Sequence, residues 1–146
     1  GVPTIVRAFT DHDLPSYAFA LKLLFTAVTL SAGFLGGEVT PLFFVGATLG
    51  SVLARLLGLP IGLGAGVGLA AVFAAGANTP LALSIMAAEL LGVAVLPHVM
   101  IVAVVAYILS GHRGIYPSQR LLRRKDGGPY LAKPVRLRDY RDSANG

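Results

Sequence analysis

Three glycines, one acid and one proline interrupt two apolar runs in the stretch Gly33-Phe34-Leu35-Gly36-Gly37-Glu38-Val39-Thr40-Pro41, and these residue types suit the capture of an anion. Pro41 belongs in the first turn of a helix, where its missing N–H is no loss and its fixed φ helps. The glycines let the chain turn sharply and let a ligand approach the backbone. The N–H groups that open the following helix have no intrahelical acceptor, and the positive end of the helix dipole lies behind them. Read alone, the same residues also describe an ordinary helix–loop–helix turn. Glu38 would repel an anion, whereas a helix N-terminus favours a carboxylate. A structural role is the first expectation for it.

Other residues could carry chemistry. Lys22 lies near one end of an apolar segment, where it could reach the headgroups or add positive potential to an ion path. Glu38 follows it by sixteen residues, about 24 Å if the chain ran on as helix, so the two are not expected to pair. Glu89 lies deep enough in an apolar run to need a partner, and a buried structural hydrogen bond is expected. Arg55, close to Gly58, is expected to reach the interface. His98 and His112 flank turns without ligand spacing, so neither a metal nor a cofactor is expected. With no cysteine, disulfides and thiolate sites are excluded. The chain lacks a nucleophile–base pair and a phosphate loop, and is not read as an enzyme.

The elements that must position these residues are membrane helices. Of 146 residues, 55% are hydrophobic and 13% charged, and the mean hydropathy is +0.73. A soluble domain of ordinary composition is more polar. After a loop marked by Asp11, Asp13 and Pro15, Ala18 to Ala32 reads as a helix slightly short of the ~20 residues of a perpendicular span. Pro41 to Leu57 follows, ended by Gly58-Leu59-Pro60. Gly62, Gly64, Gly66 and Gly68 recur at period two before Leu69–Ala75, and small residues there would let helix backbones pack closely in lipid. Gly76-Ala77-Asn78-Thr79-Pro80 is a second break, with a Thr or Asn cap ahead of a proline. Leu81 to Leu91 is again short, Gly92 to Pro97 turns the chain, and Val99 to Leu109 is apolar. Broken, short helices point to a transporter-type site near the midplane.

Charge is segregated. Nine of twelve Lys and Arg lie from Arg113 onward, so the net charge of +5 describes a basic tail. Arg120 to Arg141 carries Arg123-Arg124-Lys125, Arg136 and Arg138, broken by Gly127-Gly128-Pro129 and Pro134. The positive-inside rule places this end in the cytoplasm. Attraction to anionic lipid accounts for the basic residues more simply than nucleic acid does, despite Tyr130 and Tyr140. The chain starts on Gly, with no basic n-region or cleavage site, so no signal peptide is expected and upstream sequence is expected to be missing.

These motifs resemble those of one family. Gly36-Gly37-Glu38-Val39-Thr40-Pro41 is similar to the Gly-x-Phe-x-Pro signature in the second half of CLC chloride channels and chloride–proton antiporters, and Phe43-Phe44-Val45-Gly46-Ala47-Thr48-Leu49-Gly50 continues the match. Asn78-Thr79-Pro80-Leu81, with Glu89 nine residues beyond the proline, resembles a further family break. Lys22 falls where the family commonly carries a basic residue, and Gly111–Tyr116 resembles the final turn that brings a tyrosine to the ion. Val39 stands where the chloride branch has phenylalanine. With Thr40, it makes the stretch look like the fluoride–proton antiporter branch.

The resemblance implies an all-α membrane protein of broken, tilted helices, the second inverted repeat of a CLC-type fold, incomplete without a first half. Residues 1–15 would be a loop or the end of a preceding helix, 16–124 the membrane half, and 125–146 a basic cytoplasmic tail. The implied anion site comprises the Val39 and Thr40 N–H groups, Gly37 and the Tyr116 hydroxyl, a neutral donor. Lys22, Glu38 and Glu89 would be electrostatic or structural. The implied activity is fluoride export coupled to protons, across a cell (inner) membrane. A chloride channel or chloride–proton antiporter of the same fold, and a non-transporting membrane fragment or scaffold, stand as alternatives. The missing N-terminal half would supply the gating glutamate. A homodimer is expected through about Pro80–Leu109, weakened by a bulky residue at Ala87 or Ala88. No nucleic-acid partner is expected.

Overall fold

The alternation of apolar runs with glycine and proline breaks is realised as a string of helices in a computed structural model. It describes residues 1–144 apart from 12, 13, 35, 124, 126, 128 and 129, and apart from the side chains of 132, 141 and 144. Asp13, Leu35, Arg124, Gly128 and Pro129, used above as markers, lie outside the described residues. The helices are α1 (Val2–Arg7), α2 (Ala18–Ser31), α3 (Val39–Leu57), α4 (Ile61–Ala77), α5 (Pro80–Leu91) and α6 (Leu96–Leu109), with a 3₁₀ turn at Val93–Val95. A two-stranded antiparallel hairpin, β1 (Arg120–Arg123) and β2 (Tyr130–Arg136), precedes α7 (Leu137–Ala144). The chain is therefore mostly helical, as expected. The hairpin straddles the 124/125 boundary, and no alternation in the sequence announced it. Among the described helices only α3 is long and apolar enough to cross a membrane on those criteria; Ala18–Ser31, Ile61–Ala77, Pro80–Leu91 and Val93–Leu109 are shorter apolar helices.

Backbone chemistry ends the helices. Gly58 closes α3 in the left-handed region at φ 68°, and the Leu59 N–H returns 2.9 Å to the Ala54 carbonyl. That is a Schellman closure, which glycine adopts without steric cost. Asn78 closes α4 at φ 57°, and is the one non-glycine residue described with positive φ. Thr79 then stands before α5 but makes no side-chain capping bond, so the cap expected of its hydroxyl is not formed.

α3 and α4 pack with their backbones in contact. A Cβ on Gly46 would come within 2.6 Å of the Gly68 carbonyl oxygen and 2.7 Å of the Leu69 Cα. One on Gly50 would overlap the Gly64 carbonyl, and one on Gly68 the Gly46 carbonyl. The period-two glycines thus lie inside α4, as part of the helix itself. At ~100° per residue Gly64 and Gly68 share one face and Gly62 and Gly66 another, and the face of Gly64 and Gly68 meets α3. Gly66 points instead to Leu91. Intimate dispersion contact offsets the roughly 1 kcal/mol each glycine costs a helix relative to alanine.

The remaining core is built from small residues. Ala8, Ala47, Ala65 and Leu69 form one cluster, Ala70, Ala87 and Val99 a second, and Ala74, Leu83 and Ala103 a third. Ala87 is wholly buried, so a bulky side chain there would break this core before it reached another subunit. The expectation that Ala87 reports on dimerisation is corrected accordingly. The exposed side chains of α5 and α6 are large and apolar instead, among them Leu81, Ile85, Ile101, Val105 and Ile108.

Candidate functional site

α2 stops at Ser31, Gly33 turns the chain at φ 82°, and α3 starts at Val39. The reversal lays α2 against α3. A cleft of about 160 Å³ opens between them, lined among others by Lys22, Thr26, Gly36, Gly37, Glu38 and Pro41. Lys22 and Glu38 therefore share one cleft. The sixteen-residue separation misleads because nine residues of helix are followed by a loop that runs back. Among the described residues the two form no ion pair. The Lys22 ammonium instead lies 5.6 Å from the centroid of the Phe44 ring, a cation over the quadrupole of a helix-borne aromatic.

Val39 and Thr40 occupy the first two positions of α3, and neither N–H donates to a described carbonyl in the turn before it. Pro41 has no N–H, so the first hydrogen bond back into the turn is Leu42 N–H to the Glu38 carbonyl, 3.2 Å. Glu38 stands at the N-cap without a side-chain capping bond and is half-buried. Gly36 and Gly37 would meet nothing within 4 Å if given a Cβ, so the cleft is open on their side. The arrangement presents two N–H groups without an acceptor among the described residues at the positive end of a 19-residue helix, next to a cleft that carries an ammonium.

A strap, residues 113–119, follows α6 and carries Tyr116. Ile115 N–H donates to the Gly76 carbonyl at 2.8 Å. The Ile115 side chain lines, with Glu38, Pro41 and Leu42, a second apolar cavity of about 280 Å³. Tyr116 is the next residue, 44% exposed, with no described partner for its hydroxyl. Neither cavity counts Tyr116, Val39 or Thr40 among its lining residues. The strap brings the neighbour of Tyr116 to the start of α3.

One expectation changes, for Glu89, and Arg55 gains a partner within the chain. Glu89 is exposed on α5 and makes no described hydrogen bond, so its buried bond is absent. Leu83, Ser84 and Ala87 form the buried face of that helix, and Glu89, two residues past Ala87, turns to the opposite side. Arg55 reaches inward within the chain, donating to the Leu14 carbonyl at 3.1 Å.

A polar cluster escaped the sequence reading. The Lys125 ammonium donates to Asn78 Oδ1 at 2.5 Å, to the Tyr107 carbonyl at 2.9 Å and to Ser110 Oγ at 3.2 Å, and lies 3.9 Å from the Tyr107 ring centroid. Burial pushes its pKa below the ordinary 10.5, because a partly desolvated ammonium is disfavoured. The only sequence signal was Asn78, the residue type that most readily joins glycine in a left-handed helix end.

Three comparisons bear on this geometry. The profile of the family described as voltage gated chloride channel matches residues 1–111. The chain is 48% identical over 141 residues to a protein named "Chloride/fluoride channel protein" from Pseudomonas syringae pv. tomato (strain ATCC BAA-871 / DC3000), covering 97% of this chain and 31% of that relative. Its fold matches the crystal structure of a CLC-type fluoride/proton antiporter with a TM-score of 0.76 and 47% identity, over 80% of this chain and 30% of that one. The chain thus spans about a third of the length of these relatives.

Proposed function

The chain belongs to the voltage-gated chloride channel family, a family of integral membrane transporters, and from that premise we propose that it is the second half of an anion transporter that exports fluoride against protons. The observation that carries this reading is the start of α3. There the Val39 and Thr40 N–H groups have no acceptor among the described residues of the preceding turn, beside a cleft holding Lys22, within the Gly-Glu-Val-Thr-Pro stretch. Fluoride is small and strongly hydrated, so its site must supply close donors to replace water. Two N–H groups and the Tyr116 hydroxyl are such donors, and hydrogen bonds to an anion are roughly twice as strong as neutral ones. Donors without full charge hold the ion and still release it. Gly37 keeps the approach open, and Lys22 adds positive potential from the wall of the cleft. Glu38 lends a carboxylate to the same wall, and Glu89 remains outside the site.

In this reading the first half, absent from these 146 residues, supplies the gate and the remainder of the pathway. The basic hairpin lies on the cytoplasmic side of a cell (inner) membrane, held there by anionic lipid and the positive-inside bias. The complete protein forms a homodimer through the exposed apolar faces of α5 and α6, about Pro80–Leu109. Reconstitution of the whole transporter in liposomes, followed in parallel by fluoride and chloride electrodes, tests the assignment. Fluoride efflux that exceeds chloride efflux and is driven by a proton gradient supports it. Comparable chloride flux moves the chain to the chloride branch, and no flux of either ion leaves a membrane scaffold.

A further inference from the structure

The break after α4 and the strap bearing Tyr116 are joined by an unusually dense set of polar contacts. Asn78 Nδ2 donates to the Arg113 carbonyl at 3.1 Å and to Gln119 Oε1 at 3.2 Å. Gln119 Nε2 donates to the Ala77 carbonyl at 3.2 Å, and Ile115 N–H to the Gly76 carbonyl at 2.8 Å. Three successive residues of α4's end thus grip both ends and the middle of the strap. Gly114 passes so close that a Cβ would overlap Asn78 Nδ2 and lie 3.2 Å from the Gly76 carbonyl oxygen. Asn78 can do this because its left-handed φ of 57° turns its side chain out of the helix. Its two amide hydrogens face the strap, and its one amide oxygen is taken by the Lys125 ammonium at 2.5 Å.

Lys125 therefore locks the orientation of the Asn78 amide that the Arg113 carbonyl and Gln119 Oε1 also select. A flipped amide would set an acceptor against two acceptors and a donor against the ammonium, and losing the ammonium leaves Oδ1 unheld and the side chain free to swing away from the strap. Lys125 comes from the basic hairpin, and its backbone N–H is itself anchored to His112 Nε2 at 3.0 Å. The tail and the end of α4 thus meet at one amide.

We propose that Asn78 and Lys125 are positioning residues for anion selectivity, with the tail lysine holding the Asn78 amide in place against the strap so that the strap keeps Tyr116 at the start of α3. This rests on the reading of Tyr116 as an anion donor. A misplaced donor loses the charge-assisted bond while the helices around it stay packed, so the effect falls on anion affinity and selectivity, leaving the fold intact.

The test uses the whole transporter with Lys125→Met, which keeps the apolar stem, and Asn78→Gly, which keeps the left-handed backbone. Lys133→Met makes the same charge change at an exposed tail position. Fluoride binding by calorimetry should weaken about five- to ten-fold in Lys125→Met and in Asn78→Gly, the loss of one good hydrogen bond. It should weaken little further when either is combined with Tyr116→Phe, and stay unchanged in Lys133→Met. Additive losses, or equal losses in Lys133→Met, overturn the proposal. Amide hydrogen exchange provides the separate readout. The Ile115 amide should exchange faster in both variants while α3 and α4 keep their protection, and unaltered exchange at Ile115 overturns the positioning role. If Tyr116→Phe alone leaves fluoride binding intact, it is the reading of Tyr116 that fails, and the coupling to selectivity fails with it, whatever the exchange data say of the strap.

Discussion

The Lys22 ammonium sits over the Phe44 ring, 5.6 Å from its centroid, so a charge from the second turn of α2 is held against the second turn of α3. A cation over an aromatic face is worth about 0.5–1 kcal/mol at a partly hydrated site, too little to explain a lysine in an apolar helix by stability alone. Lys22→Met is expected to lower thermal stability by less than ~1 kcal/mol and to reduce anion flux several-fold. Lys22→Arg should retain most of the flux. Electrode-monitored efflux beside thermal melts in detergent separates the two effects; a Lys22→Met protein with full flux removes Lys22 from the ion path.

Glycines at two places in α3 and its approach do different work. A methyl on Gly50 would collide with the Gly64 carbonyl, backbone that cannot yield without moving a helix. Gly50→Ala should therefore destabilise by about 1–3 kcal/mol, read as a lower midpoint of thermal unfolding. Gly37 has open space around it. Gly37→Ala should leave that midpoint within experimental scatter and reduce anion flux, because the added methyl narrows the approach to the Val39 and Thr40 donors.

Val39 tests the branch of the family directly. Replacing its side chain changes the bulk beside the backbone N–H without removing it. Val39→Phe and Val39→Gly should each shift the fluoride-to-chloride flux ratio more than they alter expression or dimerisation. A ratio indifferent to both would favour the chloride reading.

α5 separates core from interface. Ile85 is exposed and Ala87 wholly buried, two residues apart on opposite sides of one helix. Ile85→Trp should weaken the homodimer, seen as monomer by cross-linking or light scattering, while each subunit stays folded. Ala87→Trp has no room among Ala70 and Val99 and should cost stability in the monomer first. The same oligomer for Ile85→Trp as for the parent would move the interface off this face.

The amino-acid sequence alone determined that the chain is a set of short membrane helices and where each one breaks. Gly58, Asn78 and Gly92 are legible because positive φ selects Gly and Asn, and Pro41 and Pro80 because proline belongs to a helix's first turn. It also made the start of α3 legible as a helix opening, since N–H groups without an intrahelical acceptor follow from any helix that opens in this way. Which of four alternating glycines faces α3 was not legible, because that depends on the angle at which two helices cross. Nor was the shared cleft of Lys22 and Glu38, where a seven-residue reversal brings together groups that a straight count holds apart. Glu89 faces outward although its run is apolar, since a run says nothing about which side of the helix its neighbours cover. Lys125 read as one more charge in a basic tail. Only the folded chain, by bringing residues 78 and 125 within a hydrogen bond across 47 positions, made it the partner of the amide that bonds Arg113 and Gln119 at the two ends of the strap.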